Sequence, residues 1–569
     1  MISPWAVLAR IVLVLAVVGS VVAVARLDDE RWGAHLQARF VYGVPWGSLL
    51  TVGFVLGIYL VVQGGLTSWG NPVSLPFRAW SYRYPLGMVV APFAHIGPSH
   101  LVGNLVGTLA LAPLAEYAWG HYPPTRDRDR GSAVPSARAE DAFVTSPRAR
   151  ILAVPAAAVA VGLFTGLFSI GPIIGFSGVV FAFAGFTLVR YPLATVVVFA
   201  ASGVIQQVYV ALRNPVVEAG ASGGGYGLPW WATVAIQAHA LGLLAGIVIG
   251  VAVFRRRERL PSAGRLWLGT LVFAIGQSLW AVYWFRGNGR FVLFRALGVA
   301  LVFALALLVA ASVATPGRAR GVRGVRHVRR IVGIERRAGA AMVLLLALAV
   351  LAAPAVPVNL TTTTATGTAL AQDDGSAAGT MDRVQVRDYT VYYAENVTNR
   401  VVSVVDVSAF GESTTVNASG VIVESGQRSL WTTGVEESRL AFAGCATVGV
   451  GGLGWRESVH VSRTGWKAIG GGHAYKVRFG RGNDSRLAYL SGPATADATV
   501  ANRNVSVVPR REGFGVVVSR ANETVDRVKL PANGTTAHAG GLSFDRTGGD
   551  LFVAVDGTRV RVASRETYK

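Results

Sequence analysis

Ten long apolar stretches occupy the first 358 residues of this chain, and they rule out an ordinary soluble fold for that part. They lie at about 5–26, 46–66, 99–118, 151–170, 175–190, 193–212, 229–253, 266–284, 291–313 and 341–358. About 20 consecutive apolar residues carry a helix across a bilayer, where helices and closed barrels alone satisfy their own backbone. The fold class expected is an all-α polytopic membrane protein. Only 15% of the 569 residues are charged, against about 25% in soluble domains. The deficit is local, because from about residue 381 the chain turns polar. Short runs such as Val384–Val386, Val401–Val405, Val516–Val518 and Leu551–Val555, separated by turn residues, predict a β-rich, sandwich-like domain. Five segments follow: a first helix and loop (1–45), a core (46–258), two further spans with a basic segment (259–340), a span with a small, polar linker (341–380), and the β-rich domain (381–569). The first stretch reads as an uncleaved helix, since Val24 to Asp29 makes a poor processing site, whereas Ala369-Leu370-Ala371 resembles one.

The net charge of +22 does not mark a nucleic-acid binder. The arginines sit in clusters between apolar runs: Arg126 to Arg150, Arg255 to Arg259, and Arg318 to Arg337. That is the pattern of cytoplasmic loops, with anionic membrane lipid as their partner. Four spans separate the first two clusters and two separate the second from the third, so all three share a side. The last span then carries the β-rich domain outward. Seven Asn-x-Ser/Thr acceptors agree, at Asn359, Asn396, Asn417, Asn483, Asn504, Asn522 and Asn533; residues 1–358 hold none. Such acceptors are glycosylation candidates on an exported surface. The expected location is the cell membrane, multi-pass, with the last domain extracellular. A single cysteine, Cys445, excludes an intrachain disulfide framework and reads as inert packing. No metal or organic cofactor is expected.

Three motifs carry chemistry. Gly175-Phe176-Ser177-Gly178 puts a serine at the end of an apolar span. Taken alone, it is more often a residue bonded back to a carbonyl one turn earlier. Ala238-His239 opens a run in which Gly242, Gly246 and Gly250 recur every four residues. A histidine inside a span is a functional-site candidate by default. The bare glycine face invites close helix approach, and Gly178, Ala182 and Gly185 offer a matching face. Close approach is what would bring the Ser177 hydroxyl to His239, the base a serine needs to become a nucleophile. In the third motif, His100 and Asn104 share one helix face, either as donors to a developing oxyanion or as interhelical hydrogen-bond glue.

Together, in this order, the motifs resemble the rhomboid intramembrane serine proteases, over about 46–253. The resemblance covers a His-x-x-x-Asn helix, Gly-x-Ser-Gly, and Ala-His-x-x-Gly-x-x-x-Gly on the second, fourth and sixth spans of a six-helix core. His95 and Glu116 also match family positions. One departure is that Leu86-Gly87 stands where the family carries Trp-Arg, with Trp80 and Arg83 nearby at another spacing. The resemblance implies a rhomboid-like core with Ser177 as nucleophile, His239 as general base and then acid, and Asn104, His100 and the Ser177 amide holding the oxyanion. Gly175, Gly178, Gly242 and Gly246 are then structural. The implied activity is hydrolysis of peptide bonds in or near transmembrane segments of other membrane proteins. The alternatives are a rhomboid-like pseudoenzyme that binds membrane clients and a membrane-anchored surface glycoprotein.

Overall fold

A computed structural model describes residues 4–27, 36–37, 39–120, 146–213, 229–254, 260–313, 336–361, 382–403, 408–409, 412–482, 484–521 and 523–569. The loop arginines Arg126, Arg128, Arg130 and Arg138, the cluster 255–259, most of the basic segment 318–337, the linker, and the acceptors Asn483 and Asn522 lie outside them. The chain forms two compact units: Met1–Tyr283 with Leu293–Asn359, and Trp284–Val292 with Leu360–Lys569.

The first unit is helical: α1 (Pro4–Leu27), α2 (Trp46–Gly57, extended by a π turn to Val62), α3 (Pro85–Val90), α4 (Pro98–Trp119), α5 (Pro147–Phe168), α6 (Ser177–Arg190), α7 (Pro192–Arg213), α8 (Ile236–Phe254), α9 (Ala263–Gly276), α10 (Arg295–Val313), α11 (Arg336–Ala352) and α12 (Ala355–Thr361). Among the described residues, five stretches are long and apolar enough to cross a membrane: α4, α5, α8, α10 and 341–360 across α11 and α12. Five shorter apolar helices lie within α1, α2, α6, α7 and α9. These ten fall on the ten stretches read from the sequence.

The far bound of the expected span 266–284 is corrected. Its helix stops at Gly276, and Tyr283–Phe285 instead pairs as a strand with Phe291–Leu293. At 14 residues this helix matches α6 in length, so what changes is where the helix ends and not the order of the apolar stretches. Composition hid this, because Trp280, Val282, Tyr283 and Phe285 are as apolar as a helix would need.

At the centre of the unit, α6 buries all but three of its residues and packs face to face on α8. A Cβ on Gly242 would strike the Gly178 carbonyl, one on Gly246 the Ala182 carbonyl, and one on Gly185 the Leu243 carbonyl. The two backbones therefore meet because these positions carry no side chain. Glu116 on α4 caps the start of α2, accepting from the amides of Gly47 (3.3 Å) and Ser48 (3.0 Å) and from the Ser48 hydroxyl (2.8 Å). Between α2 and α3, the guanidinium that lies over the buried Trp80 ring is that of Arg78 (5.9 Å), while Arg83 is exposed.

The second unit is antiparallel β. Among the described residues it holds an eight-stranded sheet over 445–490 and 536–565, a four-stranded sheet over 384–436 and another over 494–529, which makes it the β-rich domain expected. A helix, α13 (Glu437–Ala443), joins two of the sheets. The unit also takes in 284–292, where the Trp284 indole donates to the Ser413 carbonyl (3.0 Å) and Asn288 Oδ1 accepts from the Ser419 amide (3.1 Å). Cys445 is exposed on a strand and so packs against no core, contrary to the sequence reading.

Candidate active site

Ser177 is the first residue of α6, and the eight residues before it form an irregular connection from α5. Gly171 (φ +81°) and Gly175 (φ +132°) take backbone conformations there that side chains disfavour. A Cβ on Gly175 would also lie 2.5 Å from His100 Cε1. The glycine of this motif thus lets the chain pass under the His100 ring and deliver Ser177 into the helix.

His239, one turn into α8, meets the serine directly: Nε2 lies 2.8 Å from Ser177 Oγ. The close α6–α8 contact produces this geometry, because Gly242, three residues on, leaves room for the Gly178 backbone. Phe181 stacks on the His239 ring at 4.2 Å between centroids and 13° between planes. That face fixes the ring plane, and His239 Nδ1 has no hydrogen-bond partner among the described residues. For Nε2 to accept from Ser177, a neutral imidazole must carry its proton on Nδ1. The serine and histidine stand as a hydrogen-bonded pair, with an aromatic ring stacked on the imidazole. The sequence reading missed Phe181, although its spacing of four from Ser177 puts both on one helix face.

His100 and Asn104 project from α4 toward the same place. A cavity of 550 Å³ is lined by Ser177, His239, His100 and Asn104, with Gln206 and Gln277 adding amides that the sequence reading did not single out. Asn104 Nδ2 donates to Nε2 of the buried His95 (3.0 Å), and the His95 ring meets His100 edge-on at 5.0 Å. His95 is pinned in turn, its amide donating to Gln63 Oε1 (2.8 Å) and its carbonyl accepting from Gln63 Nε2 (2.7 Å). One Asn104 N–H is therefore held by His95 while the other remains for the cavity. Gly175, Gly178, Ser177, His239, His100, Asn104 and His95 come together at one site. Gly242 and Gly246 act as spacers beneath it, and Glu116 stands apart at the α2 cap.

The acceptor at Asn359 is corrected. Its side chain is buried at 1% exposure and donates to the carbonyls of Leu167 (3.3 Å) and Ser169 (3.2 Å), so it is a packing residue. Asn396, Asn417 and Asn533 are exposed and Asn504 is half-buried. Asn417 Nδ2 donates to Asn396 Oδ1 (2.9 Å). Among the described residues no group of three or more His, Cys, Asp or Glu side chains is arranged to hold a metal.

No family model, curated protein or solved structure matches this chain. The reading of the site rests on its own geometry.

Proposed function

We propose that this protein is a rhomboid-type intramembrane serine endopeptidase that cuts other membrane proteins in or near their transmembrane segments. The observation that carries the proposal is the 2.8 Å contact between Ser177 Oγ and His239 Nε2 in the lining of a cavity that also holds His100 and Asn104, within an apolar helical unit. Ser177 Oγ adds to a peptide carbonyl carbon while His239 Nε2 takes the hydroxyl proton. The C–N bond then breaks as the imidazolium returns that proton to the leaving amine, and water hydrolyses the ester in a second round. The free Asn104 N–H, His100 and the Ser177 amide are the oxyanion donors of this reading.

The same reading makes the chain multi-pass and puts the β-rich unit outside the cell. The arginine clusters and the exposed acceptors Asn396, Asn417 and Asn533 support that sidedness. The test of the reaction is cleavage of a single-span substrate in proteoliposomes. The parent protein should cut it, and Ser177→Ala and His239→Ala should each leave it intact while remaining folded. A parent that binds the substrate without cutting it would favour the pseudoenzyme.

A further inference from the structure

The end of α5 is unusual in where its last carbonyls go. A helix leaves its final turn of C=O groups without intrahelical partners, and in apolar surroundings an unpaired one is costly. Here the carbonyls of Leu167, Phe168 and Ser169 are taken by side chains from three distant parts of the chain. Tyr82 Oη donates to the Leu167 carbonyl at 2.7 Å. Gln237 Nε2 donates to the Phe168 carbonyl at 2.9 Å, and its Oε1 accepts from the Ile170 amide at 3.1 Å. Asn359 Nδ2 donates to the Leu167 and Ser169 carbonyls.

Two of these partners are informative by position. Gln237 lies two residues before His239, and its Nε2 also reaches the Leu351 carbonyl of α11 at 2.7 Å. Asn359 lies on α12, beyond the helices that carry the dyad, and its own carbonyl accepts from Ser81 Oγ (3.0 Å) and the Tyr82 amide (3.3 Å). The connection they grip leads within eight residues to Ser177. Its far end is held by Gly175 N–H to the Ala91 carbonyl (2.9 Å) and Ala79 N–H to the Ile173 carbonyl (3.1 Å).

We propose that α11 and α12, the helices that bear the β-rich unit, are a working part of the active site, with Asn359 and Gln237 as positioning residues for the Ser177 connection. The inference rests on the serine-protease reading for its consequence, and on geometry alone for the clamp. A nucleophile misplaced by about 1 Å loses on the order of 10²-fold in rate, so loosening one end of this connection should be felt at Ser177 without touching the substrate.

The test uses the full-length protein in detergent. Asn359→Asp keeps the shape but turns a donor toward two carbonyls into an acceptor. Gln237→Glu does the same toward Phe168 and Leu351. Each should slow fluorophosphonate labelling of Ser177 about tenfold, leave the KM for a cleaved substrate unchanged, and speed amide exchange over 170–178 without altering exchange in α9. Tyr82→Phe removes a single bond to the same turn and should give a smaller effect of the same kind if either amide variant fails to fold. Labelling at the parent rate, or unaltered exchange over 170–178, overturns the proposal. If the parent itself is not labelled, the protease reading fails, and exchange over 170–178 alone decides whether the clamp exists.

Discussion

At the scale of single residues, the site depends on a histidine whose ring plane is set by packing rather than by a carboxylate. The stacked Phe181 ring is the feature that does this, so Phe181→Leu should slow acylation of Ser177 by roughly tenfold through ring misorientation, measured as the rate of active-site labelling. If Asn104 is an oxyanion donor as proposed, Asn104→Ala should cost roughly 100-fold in turnover; an unchanged rate would make Asn104 a structural partner of His95 and nothing more. Ser177, His239, His100 and Asn104 were legible because polar side chains in apolar spans stand out and their spacing puts them on definite faces. Phe181 was not, since a phenylalanine in such a span carries no signal until the histidine's position is known. Asn359 was misread for a related reason: Asn-Leu-Thr has the acceptor pattern at any depth, and only the fold reveals that its amide is used on helix-end carbonyls.

Between elements, the α6–α8 contact is the structural condition for the dyad. Gly242→Val puts a branched side chain against the Gly178 carbonyl. Overpacking of this kind costs about 1–3 kcal/mol, and the variant should lose labelling of Ser177 along with part of its thermal stability. Retained labelling would mean that the helices separate elsewhere. The four-residue recurrence of Gly242, Gly246 and Gly250 made this contact readable from sequence. The hairpin after α9 was missed although Gly287-Asn288-Gly289 between Arg286 and Arg290 is a turn signal, because the uncharged apolar run up to Phe285 reads equally well as helix. The arrangement of sheets in the β-rich unit was beyond the sequence, since short strands fix neither pairing nor sheet number.

For the whole molecule, the two units make separate predictions. In the β-rich unit the guanidinium of Arg463 is enclosed by Glu566 (2.8 Å) and Glu437 (3.2 Å) and lies 3.5 Å over the Tyr475 ring. Burial pushes the Glu566 carboxyl up, but bonds from Arg463, Tyr568 and His473 outweigh it and hold the group below the usual carboxylate value. A depressed carboxyl contributes stability above its unfolded pKa and loses it as pH falls through the folded one. The strands Trp455–Ala468 and Thr558–Arg565 should therefore exchange amides faster as pH drops below about 4. Glu566→Gln should lower stability by about 3 kcal/mol at neutral pH, because it leaves Arg463 short of a partner, and should flatten that acid dependence. The sidedness argued from arginines and acceptor sites predicts that protease added to intact cells removes the β-rich unit while the helical unit survives. Protection of that unit until lysis would contradict it. The most direct test of the central claim is fluorophosphonate labelling of the full-length protein. The account predicts adduct formation at Ser177 in the parent and none in Ser177→Ala or His239→Ala. A parent that stays unlabelled, or a Ser177→Ala protein labelled to the same extent, would contradict it.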